Sequence, residues 1–141
     1  MQTFLPYASF VESAKVLDYK RLGKQRVETW QILRALQGTT KGWRNHPATL
    51  MWADHEFALC FYGYTMCMEW KSRGYKDTMA ERFLNARFLN ATAQKYMVLP
   101  KWFGNLQFHR SHQSNLVRKA PEYYKDKFPG VPNDLDYVWP S

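Results

Sequence analysis

The stretch from residue 47 to residue 72 constrains the fold more than any other. It opens on Pro47, whose missing N–H costs nothing at the first position of a helix, and it stops before Gly74. Between these points apolar and aromatic residues crowd together without the period-two alternation of a strand. The pattern predicts one long helix, with Gly63 as a bend or as the point where another helix comes close. The aromatic run at 57–68 is too short and too interrupted for a membrane span.

Other segments repeat the helical signal. Ser9 followed three residues later by Glu12 is a capping-box pattern, which predicts a helix near 10–18 with Phe10, Ala14 and Leu17 on its buried face. Residues 19–23 are ambiguous because of Gly23; from Lys24 a second helix is predicted up to Gly38. Residues 77–96 carry two stripes, one of Met79, Phe83, Ala86 and Asn90, the other of Leu84, Phe88 and Ala91. Asp77 or Thr78 can cap that helix. Shorter elements are expected at 109–118 and 121–127. Four of the seven prolines lie in the last 21 residues, so the end is expected to lie extended over the body. The expectation is an all-α protein, a compact helical bundle forming one domain over 1–141 with an irregular, Pro-rich C-terminal segment.

Composition narrows the function. Twenty Lys and Arg against twelve acids give a net charge of +8, a field that attracts polyanions. Residues 1–76 hold eleven basic and six acidic groups, residues 77–141 nine and six, so the excess describes a folded face rather than a tail. Six Trp and nine Tyr are too many for all their N–H and O–H groups to find partners in an apolar core, and some are expected at a binding wall. Cys60 and Cys67 form no CxxC pair and read as buried thiols in a reducing compartment. No secretory signal is visible in residues 1–10, and a cytoplasmic protein is expected.

Three patches carry candidate chemistry. In residues 18–28, Lys20, Arg21, Lys24 and Arg26 surround Glu28; Arg21, Lys24 and Glu28 recur at three and four residues, on one side of a helix, with Arg26 turned away. Spacing leaves two readings open. One is a solvated face with a Lys24–Glu28 pair; the other is a set of phosphate-binding cations beside a carboxylate that moves a proton. The second patch puts Trp43, Arg44, Asn45 and His46 at a loop-to-helix junction, where unpaired N–H groups favour an anion and Trp43 could stack on an exposed base. The third, residues 109–119, is dense in donors suited to phosphate or base edges, with Arg110, His112, Asn115 and Arg118 as candidate nucleic-acid contacts. His109 and His112 lack HExxH spacing, so no metal site is expected, and no cofactor. Walker A, GxGxxG and GxSxG motifs are all missing, which removes support for P-loop hydrolysis and serine-triad chemistry.

The opening Met-Gln-Thr-Phe-Leu-Pro, the run from Arg21 to Glu28, the Gly-Trp-Arg-Asn-His-Pro of residues 42–47 and the closing Tyr-Val-Trp-Pro of 137–140 resemble the pyrimidine dimer DNA glycosylases, the endonuclease V type of phage T4. They resemble most its bacterial and phage branch. The resemblance implies a mainly α-helical DNA-repair enzyme that binds damaged duplex DNA and flips a base. In the family an α-amine attacks the sugar C1′ to form an imine, and a glutamate assists base removal and strand cleavage. An α-amine has a reference pKa of roughly 7.7–8.0, so part of it is a free nucleophile at neutral pH. Carried onto this chain, Glu28 matches the glutamate, with Arg21, Lys24 and Arg26 around it. The bulky Gln2 blocks trimming of the initiator methionine, so the amine implied is that of Met1, and His46 joins the two as a third catalytic candidate. The expected partner is double-stranded DNA with a damaged or modified base, acted on by a monomer. A non-catalytic DNA- or RNA-binding module is the alternative.

Overall fold

Asp18 starts the longest helix among the described residues. Its carboxylate accepts from Arg21 N at 3.4 Å, capping α2 (Tyr19–Leu36), and it also receives the Arg21 guanidinium at 3.3 Å and the Tyr124 hydroxyl. The computed structural model of the chain describes residues 1–89 and 98–140. Within them the protein is all-α, with α1 (Phe10–Val16), α2, α3 (Pro47–Leu50), α4 (Glu56–Ser72), α5 (Ala80–Leu89), α6 (Leu106–Lys119) and α7 (Pro121–Tyr124), and no strand.

Several expectations hold in detail. Ser9 Oγ accepts from Glu12 N at 3.1 Å, and Ala14 and Leu17 are buried behind it. Asp77 accepts from Ala80 N at 2.7 Å at the head of α5. Cys60 and Cys67 are both buried thiols. The stretch of 77–96 beyond Leu89 lies outside the described residues, as do Asn90 and Ala91.

Two expectations need correction. The second helix begins at Tyr19, not Lys24, and runs through Gly23. The bare Gly23 backbone receives the Trp70 ring, which would stand 3.1 Å from any Cβ there, so the glycine serves packing rather than interruption. The predicted helix over 47–72 is broken in two. After Leu50 the chain closes short turns (Trp52 N to Thr49 O, His55 N to Trp52 O) and Asp54 adopts a left-handed φ of 65°. The break drops Trp52 wholly into the core and turns Met51 O to accept from Trp102 Nε1 at 2.9 Å. Gly63 is a close helix contact: a Cβ there would meet the Phe83 ring at 2.4 Å.

α4 packs along α2 and against α1 and α5, while α3 leans on α2 and α7 on α6. The core is aromatic, with Trp52 edge-on to Trp102 at 5.0 Å and Phe10 edge-on to Tyr62 at 5.6 Å. Residues 131–140 contain no helix and lie along α6, with Leu135 N donating to Ser114 Oγ and Val138 N to Ser111 Oγ.

Candidate active site

Residues 2–5 are buried yet belong to no helix or sheet, so their backbone groups need partners from side chains. They find them on three helices. Phe4 N donates to Gln25 Oε1 of α2 at 2.9 Å, and Phe4 O accepts from the Tyr62 hydroxyl of α4 at 2.8 Å. Leu5 N donates to His112 Nδ1 of α6 at 2.9 Å, and Leu5 O accepts from His109 Nδ1 at 2.7 Å. Gln113 Nε2 donates to Pro6 O, and Trp52 Nε1 to Thr3 Oγ1.

These bonds fix the ring tautomers. His109 carries its proton on Nδ1, and its Nε2 accepts from Gly104 N at 2.9 Å. His112 accepts on Nδ1, so its neutral ring carries the proton on Nε2, which is buried without a partner. Burial, and then the neighbouring His109, push the His112 pKa down to about 3. Burial also lowers that of His109, against the bond to Leu5, which raises it.

The segment delivers the chain start to Glu28. Gln2 N lies 3.4 Å from Glu28 Oε2, and Met1 and Glu28 line the same cleft, about 490 Å³ in volume. Lys20, Arg21, Lys24 and Lys119 surround them, with Gln25 and Tyr137 on the walls. The three-and-four spacing of Arg21, Lys24 and Glu28 therefore corresponds to one cleft wall. His46 caps α3, its Nδ1 accepting from Ala48 N at 3.0 Å, which leaves the proton of the neutral ring on Nε2. Its pKa is lowered by burial and then by the Met1 amine, and raised in part by Glu28, so the imidazole stands in the field of both groups. Tyr137 is pushed up to about 12, chiefly by burial, with Arg118 and Arg21 opposing and Glu28 adding to the rise.

An aromatic arc borders the cleft. Trp43 meets His46 edge-on at 5.5 Å, His46 meets Trp139 edge-on at 6.0 Å, and Trp139 lies 5.4 Å from Tyr137. Trp43, Arg44 and Asn45 are exposed beside it.

Not every predicted nucleic-acid contact reaches this cleft. Arg26 is turned away, as its offset from Glu28 requires, and binds Asp77 through Nε at 2.7 Å with its guanidinium 4.8 Å from the Trp70 ring. His112 and Asn115, expected at the DNA, are instead buried. His112 holds Leu5, and Asn115 Nδ2 donates to Ser111 O and Leu135 O. Arg118 is exposed but donates to Asn115 Oδ1 and Leu135 O, and Arg110 is exposed on α6 without lining the cleft. Sequence reasoning missed Lys119, Gln25 and Tyr137 as cleft residues, and it placed Lys20 beside Glu28 without aligning it with the Arg21, Lys24 and Glu28 side. Lys20 stands four before Lys24 and eight before Glu28, a stripe open to reading; the others carry no comparable local signal.

Among the described residues no three His, Cys, Asp or Glu side chains gather as a metal site, and no helix is long and apolar enough to cross a membrane. No curated protein and no solved structure matches the chain. The sequence pattern of one family, described as pyrimidine dimer DNA glycosylase, matches residues 1–82. That match takes in Met1, all of α2 with Glu28, and the His46 cap. With more than half its length so matched, the chain belongs to the pyrimidine dimer DNA glycosylase family.

Proposed function

We propose that this protein excises a damaged or modified pyrimidine from duplex DNA, using the Met1 α-amine as nucleophile and Glu28 as the acid–base group. The observation that carries the reading is the 3.4 Å contact between Gln2 N and Glu28 Oε2 inside a cleft walled by Lys20, Arg21, Lys24 and Lys119. A carboxylate bonded to the residue next to the amine, in a basic cleft that Met1 also lines, suits attack on a flipped nucleotide whose flanking phosphates the cations hold.

In this mechanism the Met1 lone pair forms a bond to C1′ while the N-glycosidic pair leaves with the base. The base takes up a proton, for which His46 Nε2–H is the candidate donor. The amine then loses its proton as the C1′–O4′ bond opens, O4′ is protonated, and the imine forms. Glu28 removes a C2′ proton, and the electrons expel the 3′ phosphate oxygen, cutting the strand. Water hydrolyses the imine and frees Met1. Arg44, Asn45 and Trp43 extend the DNA-binding surface from the arc. Arg110 and Arg118 belong to it as phosphate contacts outside the cleft.

Borohydride trapping on duplex DNA carrying a thymine dimer or an abasic site tests this. The expected result is a covalent adduct that disappears when one residue is added ahead of Met1. Its rate should fall roughly 10²–10⁴-fold in Glu28→Gln. Base release with no adduct would replace the amine by a water nucleophile. Neither release nor adduct on these substrates would remove the mechanism for them.

A further inference from the structure

Trp43 is held in a left-handed backbone conformation, φ 66°, which bulky side chains rarely adopt. Such strain persists where the surroundings impose it and gathers at functional sites, and here 48% of Trp43 is exposed. Its ring and that of His46 meet edge-on, His46 and Trp139 do the same, and His46 lies in the field of Met1 and Glu28. Lys41 and Arg44, both exposed in the same loop, put positive charge beside it. An unfavourable backbone angle thus holds an aromatic ring out at the rim of the candidate active site.

We propose that Trp43 is the wedge that enters the DNA stack when a nucleotide is drawn into the cleft. This rests on the glycosylase reading, because only a nucleotide taken out of the duplex leaves a gap to fill. The gap is a slot between two base faces, and an indole inserted there stacks on the neighbours and blocks return of the displaced nucleotide. Lys41 and Arg44 would hold the adjoining phosphates while the ring enters.

The test compares Trp43→Ala, Trp43→Phe and Trp43→Gly on two substrates: a duplex with a thymine dimer fully opposed, and one in which the dimer lies unopposed in a bulge. Trp43→Ala should lose at least tenfold more rate of adduct formation on the opposed substrate than on the bulged one, and Trp43→Phe should recover most of that difference. Trp43→Gly, which adopts the backbone angle freely, should have an unchanged or higher melting temperature while showing the same substrate-dependent loss. Equal losses on both substrates, or a melting temperature lowered in Trp43→Gly, overturn the wedge. If the wild type neither forms an adduct on nor releases a base from either substrate, the glycosylase reading fails separately. A 2-aminopurine beside the dimer then decides: a fluorescence rise on binding that is lost in Trp43→Ala supports the wedge, and identical signals overturn it.

Discussion

Gln25 and His46 each bind a backbone N–H for the fold, Gln25 in the cleft wall and His46 within the field of Met1 and Glu28. Gln25, three residues before Glu28 on the same helix, receives Phe4 N on Oε1 at 2.9 Å. The same oxygen lies 2.6 Å from the Tyr62 hydroxyl, whose single proton is shared with Phe4 O. One helix therefore carries the carboxylate and also holds the segment that bears the amine. Gln25→Leu leaves a buried N–H unpaired and should cost about 1–3 kcal/mol in urea unfolding, together with the trapping rate. Gln25→Glu keeps the acceptor and should retain more of both; equal losses in the two variants would remove Gln25 from this role. His46→Asn preserves a good helix cap, whereas His46→Ala gives up about 1 kcal/mol of stability. Both should lower the rate of base release, and a fully active His46→Asn would limit His46 to capping. That Glu28 shares a helix side with Arg21 and Lys24 was legible from spacing, whereas the resemblance alone singled it out as a catalytic candidate. Gln25 was not legible, because its partner is a backbone group 21 residues away, and nothing local distinguishes a buried amide from an exposed one.

The helices were legible where caps and periodicity agreed, as at Ser9, Pro47 and Gly74. They were misread where tertiary packing overrode local preference. Gly23 stays helical because Trp70 covers it, and the 47–72 run breaks because Trp52 is worth more in the core than a continuous helix is. Neither fact resides in the segment itself. The α4–α5 contact depends most directly on a missing side chain. Gly63→Ala drives a methyl into the Phe83 ring and should destabilise by roughly 1–3 kcal/mol of overpacking. Urea denaturation measures it; a neutral result would mean that α5 shifts at no cost. The C-terminal residues 131–140 were expected to lie extended over the body, but their path along α6 depends on Ser111, Ser114 and Asn115. Those residues read in sequence as surface donors.

At the scale of the whole molecule, two buried imidazoles make stability depend on acid. His112 is neutral in the fold down to about 3, whereas in the unfolded chain it takes a proton near its ordinary value of 6.5; the His109 pKa is lowered as well. Between these pH values the unfolded state binds more protons, so stability is fully present above 6.5 and declines as pH falls. His112 contributes a slope of about 1.4 kcal/mol per pH unit within that window, and His109 acts in the same direction. Urea midpoints at pH 7 and pH 4.5 should therefore differ strongly in the wild type and less in His112→Gln, whose amide oxygen can still accept from Leu5. An unchanged pH dependence in that variant would exclude His112 as the sensitive group.

Under the proposed amine mechanism, the first residues work as a ruler. Gln25, Tyr62, His109 and His112 grip fixed backbone atoms of Phe4 and Leu5, so the distance from those grips to the amine is counted in residues. Side-chain changes at Met1 leave that count intact. Inserting or deleting a single residue between Met1 and Phe4 moves the amine by one backbone repeat, about 3.3 Å, while the grips stay where they are. Length is therefore expected to be under stricter control than composition in these first residues. A one-residue indel should abolish adduct formation where Met1→Ala, with its first residue retained, reduces it only in part.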